Sequence, residues 1–390
     1  MTVVFFCPNV LRDAHKYIFQ LDRLKEEGFN IILLDATKFY GRSSTATEKI
    51  ILENKVECIK EEDFIEFRKN LPNTAVLFIT FDLYVTFAEP ILNILIRKKD
   101  KLLTYHTKRF SSVNLPSNKI RLTLDKLAIY FDKLFPLHYF NFFYKWKYKM
   151  YIPDYYLCST SFLIPTKIYF TIKKENRIIV HADEINQTLN SKKSTIIDKN
   201  KRVGVFLDQV MPFQHLTHPK LLKDPAPEGY CEMYYENIEN ILTELKLKLN
   251  LDEIIIAWHP DAKKFENELS DKFLNFRSFI GFTHELIKDA NLIIGHTSAA
   301  FGYAIYYKKP VLILRDSYLE KIVGHFLSFF TKELDMKSIT FQDSQAINFS
   351  EISINEKKYN DYISKYLKDN DIQENSYFHA IKRIQNDMQN

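Results

Sequence analysis

Short, wholly apolar runs recur along this chain and alternate with longer stretches whose apolar residues fall three and four positions apart. Val3-Val4-Phe5-Phe6-Cys7 is the first such run; residues 14–27 then carry the helical spacing, and Gly28 supplies the stop. Further runs at 30–34, 75–80, 102–105, 155–158 and 177–180 predict strands separated by helices. The pattern is cleaner in the second half. Strands are predicted there at 203–207, 253–258, 291–294 and 311–314, with an amphipathic helix over 233–250 and a crossover helix over 298–308. Strand and helix in alternation predict an α/β chain of parallel sheets with helices on their faces. Residues 185–200, polar and rich in Ser, Asn and Lys, read as a linker between an N-terminal domain of 1–184 and a C-terminal domain of 201–356. Residues 357–390 are helical in pattern and are expected to pack back across the domains.

A length of 390 residues exceeds what one hydrophobic core usually fills, and an apolar content of 46% is enough for two. Cys7, Cys58, Cys158 and Cys231 lie far apart with no C-x-x-C pair, which predicts neither disulfides nor a thiolate zinc site and fits a reducing compartment. The first residues lack a basic segment and span only a strand's length, so a signal peptide is not expected. The apolar stretch 74–96 is interrupted by Asp82, Glu89 and Pro90 and reads as strand, loop and helix rather than a membrane span. These features predict a cytoplasmic protein. The net charge of +5 is dispersed and no recognition motif accompanies it, so nucleic acid is not an expected partner. Residues 130–156 interleave Tyr, Phe and Trp146 with Lys133, Lys145, Lys147 and Lys149. That mixture suits either a core-packed helical hairpin with solvated lysines or peripheral contact with the inner face of the cytoplasmic membrane.

Eight glycines make neither G-x-G-x-x-G nor a Walker A loop, so phosphate has to be met otherwise. An apolar strand ends at Gly295 and runs through His296-Thr297-Ser298 into a small-residue helix. Free backbone N–H groups, the helix dipole and the two hydroxyls can receive phosphate oxygens there, although Ser and Thr also cap ordinary helices. Trp258-His259-Pro260 closes another strand and brings His259 to the same carboxyl edge, where open α/β sheets bind ligands. A histidine in that place donates an N–H to phosphate and, when protonated, adds a charge against the leaving nucleotide, while Pro260 fixes the exit of the chain. Asp208, after the strand 203–207, and Glu285, ahead of the strand 291–294, can accept from ribose or sugar hydroxyls. A turn cap and a first-turn helix acid are equally good readings of the two.

The order is a strand then Asp208-Gln209, a strand then His259-Pro260, a short helix with Glu285, and a strand then Gly295-His296-Thr297-Ser298, with Lys308-Lys309-Pro310-Val311 after the next helix. Over residues 201–315 it resembles the C-terminal half of GT-B glycosyltransferases that use CMP-activated sugars, the bacterial sialyltransferases, polysialyltransferases and related Kdo transferases. The resemblance implies two Rossmann-like domains facing a cleft, with His259, Thr297 and Ser298 on the CMP phosphate and Glu285 on the cytidine ribose. It implies inverting, metal-independent transfer of a 2-keto sugar acid from its CMP donor to a surface glycan or lipid-linked acceptor. The nucleotide sugar is then a substrate, no cofactor is expected, and no D-x-D motif argues for a metal ion. The alternatives are a CDP-glycerol-type glycerophosphotransferase, whose C-terminal half also shows a His-Pro strand end and a Ser-Ser helix start, a GT-B-fold UDP-sugar 2-epimerase, and a non-catalytic scaffold of capsule assembly.

The N-terminal half departs from that pattern. Where those sialyltransferases carry an acidic pair followed by glycine, the strand 101–105 here runs into His106-Thr107-Lys108-Arg109-Phe110. The proton of an acceptor hydroxyl still needs a base, and His106 and Asp82, each at a strand end, are the candidates. Lys108 and Arg109 are candidates to pair with a carboxylate of donor or acceptor.

Overall fold

A computed structural model describes residues 1–8, 13–41, 54–81, 89–106, 152–159, 172–190, 196–217, 225–341, 352–368 and 376–389. Their strands form two parallel sheets, one in each of two compact units. The first unit holds the described residues up to 190 together with 366–389, and the second holds 196–365.

In the first unit, β1 (Thr2–Cys7), β2 (Asn30–Asp35), β3 (Lys55–Glu57), β4 (Val76–Phe81), β5 (Lys101–His106), β6 (Tyr155–Cys158) and β7 (Arg177–Ile179) lie in the order β3-β2-β1-β4-β5-β6-β7. Successive side chains of a strand point to opposite faces. Val3, Phe5 and Cys7 therefore enter one core with Leu33, Leu77 and Ile79, while Val4 and Phe6 enter another with Leu34, Val76 and Phe78. A sheet buried on both faces is the reason its central strand is apolar without interruption. The first core is closed by Phe19, Leu21 and Leu24 and by Tyr377, Phe378, Ile381 and Ile384 of the helix Ser376–Gln389, so the end of the tail belongs to the first unit.

Two expectations are corrected here. The helix expected over 14–27 is two helices, Asp13–Ile18 and Leu21–Glu26, because Gln20 takes a left-handed φ of 47° between them; Gly28, at φ 80°, ends the second. The linker expected at 185–200 begins as helix, Asp183–Asn190. Ile185 and Asn186 are fully buried, and the Asn186 amide donates to the carbonyls of His181 and Ala182 at 2.9 and 3.2 Å. Ile197 is buried as well, so single apolar anchors hold a segment whose polar composition resembled a tether.

The second sheet repeats the order with β8 (Val203–Leu207), β9 (Glu253–Trp258), β10 (Arg277–Ile280), β11 (Leu292–Gly295), β12 (Val311–Arg315) and β13 (Lys337–Thr340) arranged β10-β9-β8-β11-β12-β13. In both sheets the chain reverses its direction of travel beside the first strand, between β1 and β4 and between β8 and β11. These are the switch points at which doubly wound sheets leave a crevice at their carboxyl ends. The helix Tyr230–Lys248 buries Tyr230, Tyr234, Tyr235, Ile238, Ile241, Leu242 and Leu245, a stripe at three- and four-residue spacing. No described helix is long and apolar enough to cross a membrane.

Candidate functional site

Strand register brings the predicted motifs of the second half to one place. Leu207, the last residue of β8, stands opposite Ala257 on one side and Gly295 on the other, and Trp258 stands opposite Ile280. With neighbouring strands about 4.8 Å apart, His259, Asp208 and His296 leave three adjacent strands along one carboxyl edge. Beyond β10, the helix Thr283–Asp289 carries Glu285 in its first turn.

His259 is half-buried and caps the tight turn Pro260–Phe265, with Pro260 in its first position. Its Nδ1 accepts the backbone N–H of Asp261 at 3.2 Å, which leaves the ring proton on Nε2, the tautomer able to donate to an anionic oxygen. The Asp261 carboxylate lies 3.5 Å from Nδ1 and is also paired with Lys264 at 2.7 Å. Behind the motif, Trp258 is buried against Tyr235 and Phe273.

Thr297 and Ser298 fall ahead of the helix rather than at its cap. The helix is Phe301–Tyr306 with Ala300 as its cap, because Ser298 Oγ accepts the Ala300 N–H at 3.1 Å and the Ser298 carbonyl accepts from Phe301, which closes a separate turn. Six residues of helix make a small dipole, so the chemistry here rests on the turn and its hydroxyls. Gln209 Nε2 lies 3.4 Å from Ser298 Oγ and ties the β8 loop to the β11 loop. Ser298 Oγ thus receives two donors, and its own proton is spent on neither. Glu285 is half-buried, and burial pushes its carboxyl above the usual range.

Two of the expected donor residues sit in the layer below. His296 has no exposed surface, and both ring nitrogens are engaged, Nε2 with the Tyr234 hydroxyl at 2.7 Å and Nδ1 with the Leu314 carbonyl at 2.8 Å. In this arrangement it supports the strand end and presents no donor to a ligand. Asp208 is likewise fully buried, with Oδ2 accepting the Val210 N–H at 2.9 Å. A third strand end completes the layer: Asp316, after β12, caps the helix Ser317–Glu333 through the Leu319 N–H at 2.7 Å and accepts the Tyr230 hydroxyl at 2.6 Å. Tyr230 and Tyr234, one helical turn apart, therefore reach two of the strand ends from one helix. Neither they nor Asp316 was singled out from the sequence, and Gln209 entered there only beside Asp208 in the motif order; the spacing of the tyrosines was the available signal.

The first unit supplies less. His106 is the last residue of β5, paired with Cys158, and nothing of its side chain is described. Asp82, Lys108 and Arg109 lie outside the described residues, as does most of 130–156, whose Tyr155 and Tyr156 are buried in β6. At the carboxyl end of β5, Tyr105 is bonded to Asp183 and to Tyr377, and Tyr377 donates to Asp183 at 2.9 Å. This cluster fastens the Asp183–Asn190 and Ser376–Gln389 helices to the sheet. No group of three or more metal-binding side chains occurs among the described residues.

No protein-family model matches the chain, and no curated protein matches it. Solved structures do. The UDP-GlcNAc 2-epimerase of Methanocaldococcus jannaschii, in complex with UDP-GlcNAc and UDP, is similar at 13% identity and a TM-score of 0.51, over 99% of this chain and 100% of that one. A variant of the wall teichoic acid polymerase TagF is similar at 13% identity and a TM-score of 0.53, over 100% of this chain and 89% of that one. The S. aureus MnaA–UDP structure is similar at 12% identity and a TM-score of 0.50, over 100% and 96%. At such identities the likeness is one of fold, and the fold is α/β with two parallel-sheet Rossmann-like domains, as in GT-B structures.

Proposed function

We propose that the chain is a GT-B-fold transferase whose second unit binds a cytidine-nucleotide donor at the carboxyl edge of β9, β8 and β11, and that CMP is the group released. The observation that carries this reading is the placement of the His259 Nε2–H after β9 and of Thr297 and the Ser298 hydroxyl after β11, on either side of β8 along one carboxyl edge beside a switch point. We put a CDP-linked polyol first among donors, a choice supported by the fold likeness to a wall teichoic acid polymerase. In that reaction an acceptor hydroxyl attacks the phosphorus bearing the polyol, the phosphoanhydride bond to CMP breaks, and negative charge collects on the departing phosphate. Fixed donors aimed at that phosphate favour the transition state over the ground state.

The second reading keeps the same nucleotide site and a CMP-linked 2-keto sugar acid, with attack at the anomeric carbon; it is supported by the motif order over 201–315. UDP-sugar 2-epimerisation is supported by the likeness to the M. jannaschii enzyme and needs no acceptor. A thermal-shift series with CMP, CDP, UDP and GDP separates cytidine from uridine readings. Incubation with CDP-glycerol or a CMP-sugar acid and a glycan acceptor then separates the two transfers by the mass added to the product. Stabilisation by UDP alone, with epimerised UDP-sugar as the only product, rejects the transferase reading.

A further inference from the structure

His259 has two groups of a single neighbour beside its Nδ1. The backbone N–H of Asp261 donates to that nitrogen at 3.2 Å, and the carboxylate oxygen Oδ2 of the same residue stands 3.5 Å from it. The two make opposite demands. An N–H needs a lone pair on Nδ1, which the neutral Nε2–H ring supplies; a carboxylate needs a proton there, which the doubly protonated ring carries. The sequence puts both groups on one residue. Pro260 has no N–H, so Asp261 is the first position after His259 that donates from its backbone. The carboxylate is also anchored, because Lys264 holds its other oxygen, Oδ1, at 2.7 Å. The Asp261 side chain is only 13% exposed, so its charge is less screened than that of a surface pair.

We propose that Asp261 is a positioning residue that gives His259 two states. In the free protein the ring is neutral and Nδ1 accepts the Asp261 N–H. With a nucleotide phosphate against Nε2–H, the ring takes a proton from solvent at Nδ1 and turns that new N–H to the Asp261 carboxylate. This rests on the nucleotide-binding reading given above. No bond between heavy atoms forms or breaks, and Nδ1 already lies within reach of both partners. The exchange replaces a neutral hydrogen bond by one between charged partners, about twice as strong. In the free protein the Lys264 cation on the same carboxylate opposes a second positive charge; the phosphate reverses that balance. The charged ring is then in place for the negative charge that collects on the departing phosphate. Other titratable groups of the flanking elements are Asp208 and His215 after β8, His296 after β11, Glu285 beyond β10, and Cys231 and Tyr235 of the helix Tyr230–Lys248. Asp208 and His296 are buried beneath the edge, engaged with the Val210 N–H and with Tyr234 and the Leu314 carbonyl. Asp261 and Lys264 are the charged groups described beside the ring.

Asp261→Asn supplies the test, since it keeps the backbone N–H and the shape of the side chain and removes the charge. The first readout needs no ligand: nitrogen NMR shifts of the His259 ring against pH, assigned by their loss in His259→Ala. The wild-type ring should titrate about one pH unit above that of the variant, and the neutral ring should be the Nε2–H tautomer in both. Equal titration overturns the pairing, whereas a merely structural Asp261 would lower the melting temperature without moving the ring. If the variant does not fold, the wild type decides: at about pH 7.5, CDP should bring Nδ1 from the lone-pair to the protonated range of shifts, and an unchanged Nδ1 overturns the proposal. The second readout is calorimetry of CDP binding at about pH 7 in buffers of different ionisation enthalpy. The wild type should take up about half a proton more than Asp261→Asn, so its affinity should fall more steeply as pH rises. The difference is read because the phosphate's own proton contributes to both proteins alike. Equal uptake overturns the link to the ligand. Failure of CDP, CMP and UDP to bind either protein overturns the nucleotide reading and leaves the ring titration to judge the Asp261 pairing by itself.

Discussion

The two sheets share a strand order and differ in the polar groups buried beside their switch points. In the first unit a buried ion pair, Arg68 with Asp100 at 2.7 Å, sits at the amino ends of β4 and β5, where Asp100 also accepts the N–H groups of Val76 and Arg97 at 3.0 and 2.8 Å. Its carboxyl edge at the switch point carries small, locally satisfied groups: Cys7, whose thiol donates to the Phe5 carbonyl and is pushed up by burial, and Thr80, paired with Thr104 at 3.1 Å. The second unit buries Asp208, His296 and Asp316 at the carboxyl ends of β8, β11 and β12. Burying an ionisable group costs free energy wherever it is done, so its position is informative. In the first unit the Arg68–Asp100 pair ties two strand starts together; in the second Asp208, His296 and Asp316 lie under the edge where doubly wound sheets bind ligands. A shared strand order thus carries different buried polar groups beside its switch point, and the edge rather than the fold distinguishes the two units.

That contrast can be broken at several points. Arg68→Met should cost the first unit about 3 kcal/mol of stability, because Asp100 stays buried without its cation. Nucleotide-induced stabilisation of the second unit should survive, and its loss would show that the two chemistries are not separable. His259→Ala should slow CMP release by about 10²–10³-fold, the usual cost of removing one fixed donor to a developing oxyanion, with little change in melting temperature; wild-type turnover would remove His259 from the site. Tyr234→Phe should lower stability by about 1–2 kcal/mol in a urea titration, since His296 Nε2 loses its only described donor. A neutral outcome would mean that His296 does not depend on that donor. Gln209→Ala should have the smallest effect, about a twofold to threefold rise in KM for the donor, because its contact with Ser298 is long at 3.4 Å.

How much of this was legible in the sequence follows from what each element needs. Strands buried on both faces must be apolar throughout, so β1, β8 and β11 announce themselves. The edge strands β3 and β10 do not, because none of their residues is buried, nor does β13, which buries only Ile339; pairing with a neighbour makes them strands. The break at Gln20 and the helix at 183–190 were hidden for a related reason, since backbone conformation and a single buried Ile185 decide them rather than composition. The positions of His259 and Ser298 just beyond β9 and β11 were legible because strand ends are predictable. The inward turn of Asp208 and His296 was not, because which way a side chain faces after the last strand residue depends on what packs above it.

The sequence alone determined that this chain makes two parallel α/β sheets and that His259, Thr297 and Ser298 emerge from strand ends of the second. Apolar periodicity and the length of each run carry that information locally. Only the tertiary structure decided that those ends flank β8 on one sheet edge, that Tyr230 and Tyr234 reach down to Asp316 and His296, and that Asp208 loses all contact with water. The physical reason is that burial is a property of the assembled sheet and its covering helix. Residues tens of positions apart create together the dry environment that pushes the Asp208 carboxyl up, and no segment of the chain contains that environment by itself.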